Sequence, residues 1–443
     1  MDTTPFHLIL FALDIIVLGG LFLWIRSRRN TGAARSPAQH PSTQHFGVYR
    51  SRAYQFEKPL YAPVAARPPS FAWDITGVVL FGGFGLVCFV ILCQLIRTGF
   101  VREHIYRFNT GQCIVEGIAV HGTLFLIVTA SLLCWNRRRF SALFFGCSAL
   151  FLAAFSFNIL YWEPYHLRVE HYEIRTTKLN ERLRIVFVSD IQTDRVGFHE
   201  INTLRTIQQQ NADLIILGGD YVQTFGGTRE QHLPEKFRQL FLDYPLEAPL
   251  GVFAIAGNNT MGNDAELFRD TSVTFVRNTT VFNNLGKDKG WDPPIDLILL
   301  SVAHSRRGFI GYTSRTFDER SLMEGNNFIV MAGHFPNYAV YGYTDPETGN
   351  SWDGYKNAER APDLMLAGHT HGGQIVLPFY GPISWMRDRY ILQVPRTMWS
   401  GFFPYPNGGH LLVTRGTGLE RGRSPRIRLF CPAEISVIDI EPK

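Results

Sequence analysis

Cysteine is scarce in this chain of 443 residues, and it is almost confined to one part of it. Five of the six cysteines lie in or beside long apolar stretches before residue 150, and only Cys431 lies in the remainder. A disulfide framework or a cysteine-ligated zinc site needs several cysteines within one folded region. The sequence therefore excludes both, and its cysteines do not identify a redox compartment.

Polar residues are nearly absent from four stretches near the amino terminus: 6–25, 71–96, 114–135 and 142–162. Each is close to the ~20 residues that an α-helix needs to cross a bilayer. None has the polar face of a core helix in a soluble protein, and the first lacks the preceding positive segment of a cleaved signal peptide. We therefore predict an all-α transmembrane region of about four helices over residues 1–165.

Acidic residues are nearly absent from the linker 26–70, which has eight basic residues against Glu57 alone. Its prolines favour an extended or disordered chain that contacts lipid head groups; nucleic acid would need a folded basic surface, so no nucleic-acid partner is predicted. Basic loops favour the cytoplasmic side, and Arg137–Arg139 form a second one. With four spans, this predicts a multi-pass protein of the inner or plasma membrane whose residues 166–443 are non-cytoplasmic.

Three ionisable residues, Asp14, Glu116 and His121, lie inside the predicted spans. Ionisable groups at that depth are costly and mark functional sites by default. Hydrogen bonding between neighbouring helices is the alternative. The sequence favours this second interpretation.

After residue 165 the pattern changes to short apolar runs, each ending in glycine or serine before a polar side chain. Helical stretches such as 199–211 separate some of the runs, which predicts βαβ units with ligands at the carboxyl ends of the strands. Imidazole, carboxylate and amide groups that meet there would suit a transition metal. The five runs and their motifs are 183–188 with Ser189-Asp190, 214–217 with Gly218-Gly219-Asp220, 251–256 with Gly257-Asn258-Asn259, 328–332 with Gly333-His334, and 364–367 with Gly368-His369-Thr370-His371.

Together these motifs resemble the calcineurin-like metallophosphoesterase family, and the tail from Val413 to Ile435 resembles its membrane-anchored branch typified by YkuE. The resemblance covers residues ~183–440, and several apolar spans before such a domain resemble the transmembrane metallophosphoesterases. It implies an α/β domain over residues 166–443, built as a four-layer αββα sandwich. It also implies two divalent metal ions, with Mn, Fe or Zn favoured by mixed oxygen and imidazole ligands.

The resemblance also assigns ligands by position. Gln192 stands where the family usually has histidine, and its neutral amide should weaken the first site or change its metal preference. The first metal would be held by Asp190, Gln192 and His371, the second by Asn258, His334 and His369, with Asp220 bridging both.

Asn259 is the candidate catalytic residue, and it occupies the position of the histidine that usually protonates the departing oxygen. Because an amide cannot donate that proton, we expect poor leaving groups to be cleaved badly, whereas a phosphate or phenolate departs unaided. Arginine matches phosphate oxygens in a bidentate way, although arginines on exposed loops are usually only solvated. The candidate substrate contacts are Arg195, His304, Arg306 and Arg307.

The predicted function is a membrane-anchored, metal-dependent phosphohydrolase of a phosphoester or phosphoanhydride, lipid-linked substrates included. Its partners would be that phosphorylated substrate and membrane lipids. The alternative is a non-catalytic or single-metal membrane protein that uses the domain for binding or sensing. The aromatic segment 379–403 leaves two interpretations open, a belt resting on the bilayer or the packed core of a loop-rich lobe.

Overall fold

The structure is a computed structural model that describes residues 4–30, 71–99, 110–223, 232–259, 264–307, 326–340, 343–344, 351–352, 361–383, 394–405, 408–420 and 425–443. The chain divides into two compact units. The first contains Met1–Ile105 and Cys113–Phe155, and the second contains Tyr106–Gln112 and Ser156–Lys443. Residues 26–30 of the predicted linker are helical, in contrast to the extended or disordered chain predicted there, and residues 31–70 lie outside the described residues.

Helices occur at all four positions predicted from the apolar stretches. A π-helical turn at Ile118–Gly122 joins the third to the fourth helix, and another at Asn158–Trp162 joins the fifth to the sixth. Three stretches are long and apolar enough to cross a membrane: Phe71–Cys88, Ile114–Trp135 and Arg139–Tyr165. The described part of the first helix has a shorter apolar stretch, Ala12–Trp24. The helices are α1 (Thr4–Asn30), α2 (Phe71–Gly99), α3 (Thr110–Gly117), α4 (Thr123–Trp135), α5 (Arg139–Phe157) and α6 (Glu163–Tyr165).

Polar side chains connect the helices of the first unit. Asp14 Oδ2 lies 2.5 Å from His121 Nδ1, which is in the first π-helical turn. Asp74 accepts a hydrogen bond of 2.5 Å from Ser141 and forms an ion pair with Arg138. Asp14 and His121 are thus bonded between two helices, in agreement with the helix-packing interpretation.

The described residues of the second unit form the strands and, after α6, three further α-helices. All five strands predicted from the apolar runs are present, and the predicted helix over 199–211 is α7. The strands are β1 (Arg168–Thr176), β2 (Leu183–Val188), β3 (Leu214–Leu217), β4 (Val252–Ile255), β5 (Val273–Val276), β6 (Thr280–Leu285), β7 (Ile295–Leu299), β8 (Phe328–Gly333), β9 (Tyr343–Thr344), β10 (Ser351–Trp352), β11 (Leu364–Ala367), β12 (Ile375–Leu377), β13 (Gly381–Ile383), β14 (Gly401–Pro404), β15 (His410–Val413) and β16 (Glu434–Pro442). The helices are α7 (Phe198–Gln209), α8 (Leu233–Asp243) and α9 (Val302–Arg307).

Two six-stranded sheets organise this unit, in the orders β1-β16-β2-β3-β4-β5 and β14-β15-β11-β8-β7-β6. Strands β2 to β5 are parallel, and so are β15, β11, β8 and β7. Parallel pairing brings the carboxyl ends of β2, β3 and β4 to one edge of the first sheet. It brings those of β8 and β11 to one edge of the second, with Gly333 opposite Ala367.

The main hydrophobic core lies between the two sheets, where Phe187 and Ile216 of one sheet share a cluster with Val330 and Leu366 of the other. Ile207 of α7 and Phe237 of α8 cover the outer face of the first sheet. The two-sheet α/β arrangement predicted from the sequence is therefore present. The described residues after β5 contain no α-helix longer than the six-residue α9.

The aromatic segment 379–403 was predicted to form either a belt resting on the bilayer or the packed core of a loop-rich lobe, and its residues differ in which they fit. Trp399 is buried, and Phe402 and Phe403 pack against separate core clusters, as the core interpretation predicts. Phe379 is fully exposed. Trp385 and Tyr390 lie outside the described residues.

Candidate metal centre

The side chains predicted to bind metal leave the strand ends in an unusual backbone conformation. The φ angle is +55° at both Asp190 and Asp220, +40° at Gln192, +68° at His369 and +48° at His371. Few residues other than glycine adopt positive φ, and such strain persists only where the surroundings enforce it, often at functional sites. The surrounding packing therefore fixes the directions of these five side chains.

Glycines beside these residues allow the loops to come close together. A Cβ at Gly257 would collide with Asp220 Oδ1, and one at Gly368 would collide with Ser189 Oγ. Only glycine permits this approach of backbone to side chain. Gly257 and Gly368 are thus required by contact with the neighbouring loop.

Four predicted ligands of the second metal meet in one cluster. The ligand atoms of Asp220, His334 and His369 all lie within 4.8 Å of one another, and these side chains are buried. His334 Nε2 lies 2.8 Å from Asn258 Oδ1, 3.2 Å from His369 Nδ1 and 3.5 Å from Asp220 Oδ2. His334 Nδ1 lies 2.8 Å from the carbonyl oxygen of Gly218, which favours a proton on Nδ1 and leaves Nε2 for a metal.

Two predicted ligands of the first metal lie beside this cluster. His371 Nε2 is 3.6 Å from Asp190 Oδ1, and both side chains are buried. Asp190 Oδ2 accepts a hydrogen bond from the His369 backbone, whereas Asp190 Oδ1 accepts none from the described residues. A buried carboxylate oxygen without a donor is costly. This oxygen, with the mixed carboxylate, amide and imidazole donors around it, fits divalent metal ions.

The pKa shifts of the clustered side chains agree with binding of a divalent metal ion. Burial raises the pKa of Asp190 to about 6. Burial alone would lower the pKa of His334, but the Asp220 carboxylate outweighs it, and the pKa rises to about 9. Burial and the nearby Arg428 hold the pKa of His371 well below its usual range. His371 is therefore neutral, the form that binds metal, and a metal ion at the cluster would displace the His334 proton.

Asn259, the predicted catalytic residue, is bonded directly to the candidate bridging ligand. Its backbone N–H donates to Asp220 Oδ1 at 2.8 Å, and its side-chain Nδ2 donates to Asp220 Oδ2 at 2.7 Å. This pair of bonds orients both carboxylate oxygens of Asp220.

The four predicted substrate contacts are placed differently from one another. Arg306 lies over the ring of Phe335, which in turn contacts the His369 ring with 3.8 Å between centroids. His304 is hydrogen bonded to Thr279, and the Arg195 side chain is exposed. Arg307 ends α9, and its side chain lies outside the described residues. Their contact with a substrate stays a prediction.

Several residues that the sequence did not single out shape the centre. Asp264 is buried, and burial followed by the charge of Asp220 raises its pKa to about 6. Glu420 accepts a hydrogen bond of 3.0 Å from Gln192, and Gln374 accepts one from the Glu420 backbone. Arg428 is fully buried and donates to four backbone carbonyl groups. No strand-end pattern marks Asp264, Glu420 or Arg428, and Asp264 and Glu420 act through contacts distant in sequence.

Comparison with known families shows which family these residues match. Residues 183–373 match the family described as calcineurin-like phosphoesterase, a range that includes every predicted metal ligand. By this match, residues 183–373 of the chain form a calcineurin-like phosphoesterase domain. It is accordingly a metal-dependent hydrolase of phosphoester bonds, in agreement with the resemblance found in the sequence.

Two relatives support the family over a longer range. An uncharacterized metallophosphoesterase of Aquifex aeolicus is 24% identical over 312 residues, which is 67% of this chain and 98% of the relative. The uncharacterized metallophosphoesterase YkuE of Bacillus subtilis is 24% identical over 291 residues, 63% of this chain and 88% of YkuE. A solved structure of a dimetal phosphatase from Danio rerio superposes on this chain with a TM-score of 0.30 and 9% sequence identity. The superposition covers 55% of this chain and 91% of the phosphatase.

Proposed function

We propose that this calcineurin-like phosphoesterase is membrane-anchored, binds two divalent ions, and cleaves a phosphoanhydride or an activated phosphoester on a lipid-linked substrate. The observation that carries the proposal is the buried meeting of Asp190 and Asp220 with His334, His369 and His371 at the strand ends. Buried carboxylates and imidazoles in such number are rare unless they are paired or bind metal.

The ligand assignment follows from position around Asp220, which would bridge the ions. Asp190, Gln192 and His371 would hold one ion, and Asn258, His334 and His369 the other. Ions held by these residues would supply charge that stabilises the phosphoryl oxygens and would lower the pKa of the attacking water. The mixture of oxygen and imidazole donors favours Mn, Fe or Zn over Ca.

The chain's own residues limit which bonds can be cleaved. Asn259 orients Asp220 with two hydrogen bonds, but its amide has no proton to give at a useful pKa. The departing oxygen therefore has to leave with much of its negative charge. A phosphate or an aryl oxide tolerates that charge, whereas a simple alkoxide does not.

Membrane attachment and a lipid-linked substrate form one part of the proposal. Three stretches of the described helices are long and apolar enough to cross a membrane. A phosphoesterase anchored in this way shares its membrane with phosphorylated lipids, whose local concentration is then high. This supports a substrate that is carried in the bilayer.

Metal analysis followed by a substrate panel tests the proposal. The full-length protein in detergent should contain about two ions of Mn, Fe or Zn per chain. It should hydrolyse aryl phosphates and pyrophosphate-linked lipids faster than alkyl phosphomonoesters. If ions are bound but no ester or anhydride is cleaved with Mn, Fe, Zn or Mg, the enzyme proposal is wrong, and a metal-holding binding domain replaces it.

A further inference from the structure

A carboxylate from the carboxyl-terminal part of the chain binds the one predicted metal ligand that departs from the family pattern. Glu420 Oε2 accepts a hydrogen bond of 3.0 Å from Gln192 Nε2. Glu420 Oε1 accepts a second bond, also of 3.0 Å, from Gln223 Nε2. Both glutamines are buried. Glu420 lies outside the residues that match the family.

The bond to Glu420 determines which way the Gln192 amide faces. A carboxylate can only accept hydrogen bonds, so the amide group that faces it has to be the NH₂ group. The carbonyl oxygen of the same amide is then on the side away from Glu420. A metal ion needs that oxygen, because the NH₂ group of an amide has no lone pair available for binding.

The backbone around both partners is fixed, which makes the amide orientation a property of the fold. The Gln192 N–H donates to the Asp220 carbonyl at 2.8 Å. The Glu420 N–H donates to Gln374 Oε1 at 2.5 Å, and the Gln374 NH₂ group lies 3.3 Å from the carbonyl oxygen of Pro425. The Gly418 N–H also donates to the Asp190 carbonyl at 2.7 Å, so the segment that carries Glu420 is joined to the loop that carries Gln192.

We propose that Glu420 is a positioning residue that holds the Gln192 carboxamide with its oxygen toward the candidate metal centre. It compensates for the replacement of histidine by glutamine in the first metal site. Outer partners of this kind orient a ligand, and their removal typically weakens metal binding about 10- to 100-fold. The inference rests on the proposed function, since it assumes that the Asp190 and His371 site holds an ion.

Glu420→Gln and Glu420→Met are the informative substitutions, because the first retains the shape of the side chain and removes one acceptor and the second removes both. A glutamine at this position has a single acceptor oxygen for which the Gln192 and Gln223 amides compete, whereas Glu420→Met has no such acceptor and leaves the Gln192 amide free to turn over. In the full-length protein, we expect Glu420→Met to weaken the binding of one of the two ions about 10- to 100-fold and to leave the other unchanged, and Glu420→Gln to lose no more than this.

Titration with Co²⁺, monitored by the visible absorption of the bound ion, measures metal binding at the two sites without any assay of activity. Wild type should give two binding phases, and Glu420→Met should shift only one. In a Gln192→Ala background the same substitution should have no further effect, because the amide that it positions is already gone. Gln223→Met is the matched control, since it removes the other donor and should retain both phases. Melting temperatures accompany each titration, and Glu420→Asp replaces Glu420→Gln if the latter does not fold.

The outcomes separate this inference from the proposed function. Two intact phases in both Glu420→Met and Glu420→Gln overturn the positioning role and leave the proposed function standing. An equal loss in the Gln192→Ala background also overturns it, because Glu420 would then act on the fold and not through Gln192. A wild-type protein that binds no ion overturns the proposed function and the inference together.

Discussion

Asn259 has two separate connections to Asp220, one through the backbone and one through the side chain. A substitution at this position removes only the side-chain bond, since the backbone N–H stays in place. The candidate bridging ligand therefore retains one fixed oxygen in any Asn259 variant other than proline. This makes Asn259 a position where proton donation can be changed while the metal ligands are retained.

The first prediction concerns the leaving group. Wild type should cleave aryl phosphates much faster than alkyl phosphates, because no proton is supplied to the departing oxygen. Asn259→His should raise kcat/KM for alkyl esters by up to about 100-fold and change aryl esters far less, since an acid helps most where the leaving group is worst. The measurement is kcat/KM across a series of esters of increasing leaving-group pKa.

Similar chemical-step rates for alkyl and aryl esters in wild type would contradict this prediction. Another residue would then supply the proton. Asp264, whose pKa burial raises to about 6, and His304 are the residues to substitute next.

The second prediction concerns the pH dependence of the metal-free protein. The pKa of His334 rises from 6.5 to about 9 because the Asp220 carboxylate outweighs the effect of burial. Because the folded protein holds this proton more tightly than the unfolded chain does, protonated His334 stabilises the fold. That stabilisation is complete below pH 6.5 and is lost as the pH rises through 9. We expect the melting temperature of the metal-free protein to fall by several degrees over this window.

His334→Gln is the control for that measurement and should show no such fall. The pKa of Asp190 is also raised, to about 6, so its effect on stability falls below this window. A metal-loaded protein should lack the fall as well, because a coordinated imidazole is already neutral. A constant melting temperature of the metal-free protein between pH 6.5 and 9.5 would show that His334 is not protonated beside Asp220.

At the scale of elements, the strand ends were predictable and the segment that supports them was not. The predicted ligands follow short apolar runs that end in glycine or serine, and both signals are local in sequence. The contact between Gln192 and Glu420 joins residues far apart, and Glu420 follows no apolar run. The pairing of β1 with β16 in parallel is likewise a contact between the two ends of the domain. Local patterns predict where a chain turns, whereas such contacts depend on the whole fold.

The third prediction concerns Arg428, which fixes the carboxyl-terminal segment. Its buried guanidinium donates to the carbonyl groups of Arg415, Gly416, Gly418 and Cys431. Arg428→Met leaves these acceptors without their donor, at a cost of ~1–3 kcal/mol for each group that stays unsatisfied. We expect the melting temperature to fall by about 10 °C and the metal site at Asp190 to weaken, because Gly418 is bonded to Asp190.

Arg182→Met is the matched control for that substitution. Arg182 bonds Asp439 at the surface, with its side chain 45% exposed, and exposed ion pairs contribute only ~0–1 kcal/mol. Thermal unfolding of both variants gives the comparison. Equal melting temperatures would mean that water replaces the Arg428 guanidinium and that the segment does not depend on it.

At the scale of the molecule, the amino-terminal region and the phosphoesterase domain differ in how their apolar residues are distributed. The first is built from long apolar helices, and exposed Phe, Leu and Trp side chains are frequent along them. The second has its apolar residues in clusters between and around two sheets. The sequence predicted this division because a bilayer and a folded core demand different patterns of apolar residues. The apolar helices alone do not predict an orientation in a membrane, which is predicted instead from the charges of the segments between them.

The last prediction concerns that side. The predicted linker 26–70 has eight basic residues against one acid, and Arg137–Arg139 lie where the turn after α4 leads into α5. Both should be cytoplasmic by the positive-inside rule. With four spans the domain is then non-cytoplasmic, so a reporter that works only outside the cytoplasm should be active after Lys443 and silent after Arg139. The first helix decides the count, because its described apolar stretch, Ala12–Trp24, is shorter than the other three. A reporter active after Arg139 and silent after Lys443 would invert this orientation.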